Sequence, residues 1–111
     1  MNNNVVVVDK IISDDRLLNL IDKTPSIVIL YSEWSTSYLI MKNIYKKIES
    51  EFENKIRFFY INNKSCPETR AEFGIMFFPT CLLYKKSKLI DIIEGVVSLK
   101  ILSDRINMMI S

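Results

Sequence analysis

Residues 26–38 read SIVILYSEWSTSY, and the way their properties change along the chain decides the fold. From Ser26 to Ser32 nearly every side chain is apolar, as in a strand covered on both faces. The run after Tyr38, LIMKNIYKKIESEF, has a different period. Met41, Ile44, Tyr45, Ile48 and Phe52 follow at i+3 and i+4 steps, while Lys42, Lys46, Lys47 and Glu49 lie between them, which predicts an amphipathic helix. Its first turn falls at Ser35-Thr36-Ser37-Tyr38. A buried strand that ends on Glu33-Trp34 and drops into a helix marks that turn as a candidate site.

The same alternation extends in both directions. Val5 to Val8 is a β-branched run suited to a strand. Ser13 is placed to cap a helix carrying Leu17, Leu18, Leu20 and Ile21, which must stop before Pro25. Ile56 to Ile61 is a second central strand. Ser65-Cys66-Pro67-Glu68 reads as a capping box with proline at the first helical position, opening a short helix that ends at Gly74. Cys81 to Tyr84 and Leu89 to Ile93 flank Lys85-Lys86-Ser87-Lys88 as a hairpin. Ser98 caps a last helix with Leu99, Leu102, Ile106 and Met109 on one face. The order β-α-β-α-β-α-β-β-α predicts an α/β protein with a central mixed sheet and helices on both faces. No linker, repeat or low-complexity tract interrupts it, so a single domain over residues 1–111 is expected.

Composition narrows the chemistry. The chain has 111 residues, about half apolar and a quarter charged, which excludes disordered and collagen-like classes. A net charge of +2 with scattered lysines gives no basis for nucleic-acid or membrane-surface binding. The opening MNNNVVVVDK lacks a basic leader and no segment is long enough to span a bilayer, so a cytoplasmic location is expected. Histidine is absent, and Cys66 and Cys81 stand at a spacing that matches no zinc or redox motif. No metal and no cofactor is expected, and catalysis through a Cys-His or Ser-His pair loses its base.

With the strand-to-helix turn at Trp34 and a proline opening the fourth strand, the chain resembles the thioredoxins. The resemblance runs without a gap from about Ser26 to Gly95. IVILYSEWSTSY is similar to the family's strand leading into Trp-Cys-Gly-Pro-Cys, with Glu33-Trp34 retained. Phe73-Gly74-Ile75 followed by Phe78-Pro79-Thr80 resembles the segment that carries the family's cis-proline, and Gly95 falls where the family has a groove glycine. By this resemblance Ser35 and Tyr38 replace the nucleophilic and resolving cysteines, Ile29 the buried carboxylate, and Tyr60 its lysine partner. Thiol-disulfide exchange needs a thiolate to attack and a second thiol to resolve, and neither stands at this turn. The resemblance also puts Asn43 at the family's helix-kinking proline and Ser87 at its turn glycine.

What remains at the turn has two readings. Ser35, Thr36 and Ser37 suit helix capping, and hydroxyls with free amides at a helix start also suit an anion or a partner's carbonyl. By the resemblance Trp34, Tyr38, Phe77, Phe78 and Gly95 surround Pro79, a surface that can bind a protein or peptide, including by strand addition beside the proline. The expected function is therefore a thioredoxin-like binding or scaffold module without a dithiol centre. Two alternatives stand beside it. One is a thiol-disulfide oxidoreductase-related enzyme working as a monothiol through Cys66 or Cys81, or with thiols from a partner; Cys66, at a helix start, is the candidate reactive thiol. The other is a structural subunit that buries the aromatic patch in a homodimer or a larger complex.

Overall fold

The computed structural model describes residues 5–8, 21 and 24–111; the helix expected after Ser13 lies outside them. Five strands, β1 (Val5–Val8), β2 (Ser26–Tyr31), β3 (Arg57–Asn62), β4 (Thr80–Lys85) and β5 (Lys88–Glu94), form one sheet in the order β1-β3-β2-β4-β5. The first three in that order run parallel, and β4 and β5 are antiparallel. Among the described residues three α-helices accompany the sheet: α1 (Thr36–Glu51), α2 (Pro67–Glu72) and α3 (Leu99–Ile110).

Every residue of β2 is buried, because β2 is central and both its faces are covered. Its side chains alternate between two cores. Ile27, Ile29 and Tyr31 point to the side where Met41, Tyr45 and Ile48 of α1 pack with Leu102, Ile106 and Met109 of α3. Val28 and Leu30 point to the other, with Phe59, Ile61, Leu82, Cys66 and Ile75. The period-2 strands and the i, i+3, i+4 helices interlock through these two layers. α1 runs unbroken through Asn43, the position at which the resemblance puts a helix-kinking proline.

Two local expectations give way. The capping box at Ser65 does not form, because Asn62 starts a tighter 3₁₀ turn over Asn63–Ser65, its side chain accepting from Lys64 N–H at 3.0 Å. That leaves Cys66 as the cap of α2, with no side-chain cap bond and Pro67 next. The hairpin turn is also shorter than expected. β4 and β5 extend to Lys85 and Lys88, which leaves Lys86 and Ser87 alone in the turn at φ 52° and 64°. Both residues sit in the left-handed region, the requirement of a two-residue hairpin whose twist matches its strands.

Candidate functional site

β2 and β3 end side by side at Tyr31 and Asn62, so the chain leaves both parallel strands at one edge of the sheet, where α1 begins and the loop before β4 returns. Ser35 makes this junction. Its backbone is extended (φ −75°, ψ 126°), its N–H donates to Ser32 C=O at 3.0 Å, and its Oγ accepts from Tyr38 N–H at 3.2 Å. The same hydroxyl donates to Phe78 C=O at 3.3 Å, so one side chain both caps α1 and holds the loop before β4. Thr36 and Ser37 are helical residues, and Ser35 alone is the cap.

The Phe78–Pro79 peptide is cis. Its loop has its carbonyls occupied from three sides: Phe77 C=O accepts from the Thr80 hydroxyl, Phe78 C=O from Ser35, and Pro79 C=O from Gly95 N–H at 2.8 Å. Gly95 has φ 75°, a conformation that favours glycine. Pro79 is itself buried, and a proline has no N–H to offer. Each of these carbonyls thus already accepts one hydrogen bond, and the most exposed groups of this face are side chains.

Those side chains divide unequally. Trp34 is 91% exposed and Phe77 63%. Tyr38 and Phe78 are half-buried. Tyr38 stacks on Tyr31 with ring centroids 4.8 Å apart and carries Lys42 Nζ over its ring at 5.4 Å. Burial, then the nearby Tyr31 and Glu49, raise its phenol above the usual range. Phe78 packs against the second core under the Arg70 guanidinium, 5.3 Å from the ring centroid. Tyr38 and Phe78 thus shape the floor, and two of the four expected aromatics are open. Met76, 78% exposed, and Val96, 51% exposed, add apolar surface that the sequence reading missed; each neighbours a residue it did single out, Phe77 and Gly95. A polar cleft of about 90 Å³ beside Trp34, lined by Ser32, Glu33, Asn62, Asn63 and Lys64, is below the size of an ordinary small-molecule pocket.

Beneath the turn, Ile29 pairs with Tyr60 on β3 and with Cys81 on β4, so the three form one row across the sheet. Tyr60 donates to Glu49 of α1, and the Tyr45 hydroxyl and the Cys81 thiol are hydrogen-bonded. Burial pushes the Cys81 thiol up to about 12, against a small opposing effect of Tyr45, and burial raises the phenols of Tyr45 and Tyr60 as well. Where the resemblance puts a carboxylate and a lysine, this chain holds an aliphatic side chain and a phenol, and neither exchanges protons near neutral pH.

Both cysteines are thiols, and both are 1% exposed. Cys66, the candidate thiol of the oxidoreductase alternative, lies in the second core beside the 3₁₀ turn ahead of α2. Among the described residues no group of three or more His, Cys, Asp or Glu could hold a metal ion, and no helix is long and apolar enough to cross a membrane.

A parallel β2–β3 pair, an antiparallel hairpin, and a cis-proline loop fastened to the N-terminus of a sheet-packed helix define the thioredoxin fold. Residues 5–108 match the Thioredoxin family model, and the chain belongs to that family. It is 30% identical over 83 residues to a thioredoxin of Rickettsia typhi, covering 75% of this chain and 79% of that protein. It is 28% identical over 87 residues to a thioredoxin of Pyropia yezoensis, covering 78% and 81%. Among solved structures it superposes with TM-score 0.78 at 19% identity, over 96% of this chain and 97% of the other, on a chain from a structural study of the thiol resolving mechanism in yeast mitochondrial 1-Cys peroxiredoxin via glutathione/thioredoxin systems. At that identity the likeness concerns the fold.

Proposed function

We propose that this chain is a thioredoxin-like binding module that works without a dithiol centre and docks a protein or peptide on the face around Trp34, Phe77 and the cis-Pro79 loop. The observation that carries this reading is the state of Ser35 and Tyr38. The Ser35 hydroxyl is engaged as a cap and as a donor to Phe78 C=O, and Tyr38 is stacked on Tyr31, so both positions serve structure. A serine nucleophile also needs a base, and the chain has no histidine. Around these positions Trp34, Met76, Phe77 and Val96 are exposed, and aromatic and methionine side chains are the types enriched where proteins meet. With Trp34, Met76 and Phe77 open to solvent and Pro79 buried, the partner is held by side-chain packing more than by backbone pairing.

The oxidoreductase reading is supported by the family alone, since the buried Cys66 and Cys81 offer no attacking thiolate. Affinity capture from the source cell, with Trp34→Ala, Phe77→Ala run in parallel, tests the docking reading. Trp34 and Phe77 are exposed enough to be removed without loss of fold, and a partner held there is expected to weaken at least roughly tenfold, the scale of interface anchors. A partner retained at full affinity by the variant overturns the assignment of this face. Insulin reduction that depends on Cys66 or Cys81 overturns the non-enzymatic reading.

A further inference from the structure

β5 is an edge strand, with β4 as its one neighbour among the described residues. Alternate residues of such a strand turn their N–H and C=O outward, where a further strand can pair with them. At Ile92 both outward groups are already taken. The Asp91 carboxylate accepts from Ile92 N–H at 2.9 Å, and Arg105 Nη2, reaching across from α3, donates to Ile92 C=O at 3.2 Å. The two side chains also close on each other: Arg105 Nε donates to Asp91 Oδ2 at 2.8 Å and Nη2 to Oδ1. One ion pair thus covers donor and acceptor of the same edge residue. Beside it, Leu83 faces Asp91 while Tyr84 faces Leu89, which leaves Ile90 as an extra residue in a bulge, 52% exposed.

We propose that the β5 edge is a self-association surface held closed by the Asp91–Arg105 pair. Its occupant, once opened, is β5 of a second copy of this chain. Charge favours that partner. The strand begins at Lys88 and ends near Glu94, so two antiparallel copies bring the lysine end of each against the glutamate end of the other, with the exposed Ile90 side chains between. In the same register the two Asp91 carboxylates approach at the centre, so Asp91 opposes pairing by its charge as well as by covering Ile92. The contact is made by the β5 edge and not by Trp34 or Phe77, so it does not rest on what docks there.

The test is the molar mass in solution by light scattering over a concentration series, from micromolar to submillimolar, with thermal unfolding to establish that each variant is folded. The unsubstituted chain is expected to stay monomeric in this contact, and Asp91→Ala, Arg105→Ala to double its mass as concentration rises. Arg105→Lys keeps the charge but loses the fork that bridges Asp91 to Ile92 C=O, and should dimerise less; it carries the test if the double variant folds poorly. Adding Ile92→Pro removes the outward N–H while remaining tolerable on an edge strand, and should return the double variant to monomer. A folded double variant that stays monomeric throughout the series overturns the proposal. So does association that Ile92→Pro leaves unchanged, because the contact is then elsewhere.

Discussion

The turn at Ser35 and the row of side chains beneath it are near neighbours with opposite character. At the turn Trp34, Met76 and Phe77 stand open to solvent, but the polar groups there, the Ser35 hydroxyl and the loop carbonyls, are committed to one another. One layer down, Tyr45, Cys81 and Tyr60 bring a thiol and two phenols together, and all three are buried. Access is therefore in one place and ionisable chemistry in another. A thiol-disulfide enzyme needs the two to coincide, because a thiolate must form where a substrate can reach it. Their separation is the physical content of the binding-module reading, and it can be attacked from either side.

The largest effect should come from returning thiols to the accessible place. Ser35→Cys with Tyr38→Cys puts a dithiol at the start of α1, where the helix dipole favours thiolate. Insulin reduction is expected to rise from none to a measurable rate, yet stay roughly 10²-fold below that of an ordinary thioredoxin, the scale of a missing proton-transfer group. Ile29 and Tyr60 supply no such group. Activity equal to that of an ordinary thioredoxin would show that accessibility alone was lacking and that the buried row is irrelevant.

A smaller effect is expected from the buried side. The Cys81 thiol ionises near 9.0 in a free chain and only near about 12 in the fold. The unfolded state therefore loses its proton first as pH rises. The stability associated with the neutral buried thiol is complete below pH about 9 and is lost progressively between about 9 and about 12. Tyr45 and Tyr60, whose phenols are also raised, act in the same direction. Urea midpoints measured across this range should fall with pH, and Cys81→Ala should reduce the slope without abolishing it. A slope unchanged by the substitution would place the alkaline sensitivity on the tyrosines. In the native protein at neutral pH neither thiol should react with a disulfide reagent until unfolding exposes it.

Legibility followed the same division. The strands and α1 were readable because burial imposes a strict period: β2 as an apolar run, α1 as its i, i+3, i+4 stripe. Thr80–Lys85 and Lys88–Glu94 were read one residue short at each end, since Lys85 and Lys88 look like turn residues although their backbones pair. At the site, the sequence and its resemblance marked Trp34, Phe77, Pro79 and Gly95, but which aromatics stay open depends on stacking partners distant in the chain. Tyr38 is held down by Tyr31, and Phe78 lies under Arg70. The burial of Cys66 was not legible in the sequence for a similar reason. Cys66 closes the 3₁₀ turn that Asn62 caps and packs in the second core, and no property of the Cys-Pro-Glu triplet signals that. The occupied carbonyls of the proline loop come from hydrogen bonds that span as many as 43 positions, beyond any local pattern.

The smallest expected effect tests how the two regions are joined. Ser35→Ala removes the cap from Tyr38 N–H and the donor to Phe78 C=O in one step. Loss of an N-cap hydroxyl costs about 1 kcal/mol, and the long 3.3 Å bond to Phe78 should add little to that. Thermal or urea unfolding is therefore expected to show a loss of about 1 kcal/mol, with the fold intact. Ser35→Gly should recover most of it, because glycine is a tolerable cap. Glycine does not restore the donor to Phe78, so the pair of variants separates capping from loop fastening. If both lose the same stability, the bond to Phe78 is the stronger contribution and the proline loop is held chiefly by Ser35. If glycine recovers the loss, the loop is held by Gly95 and Thr80. Phe78 C=O is then open to a partner in either variant, and binding at this face should tighten where backbone pairing contributes and stay constant where side chains alone hold the partner.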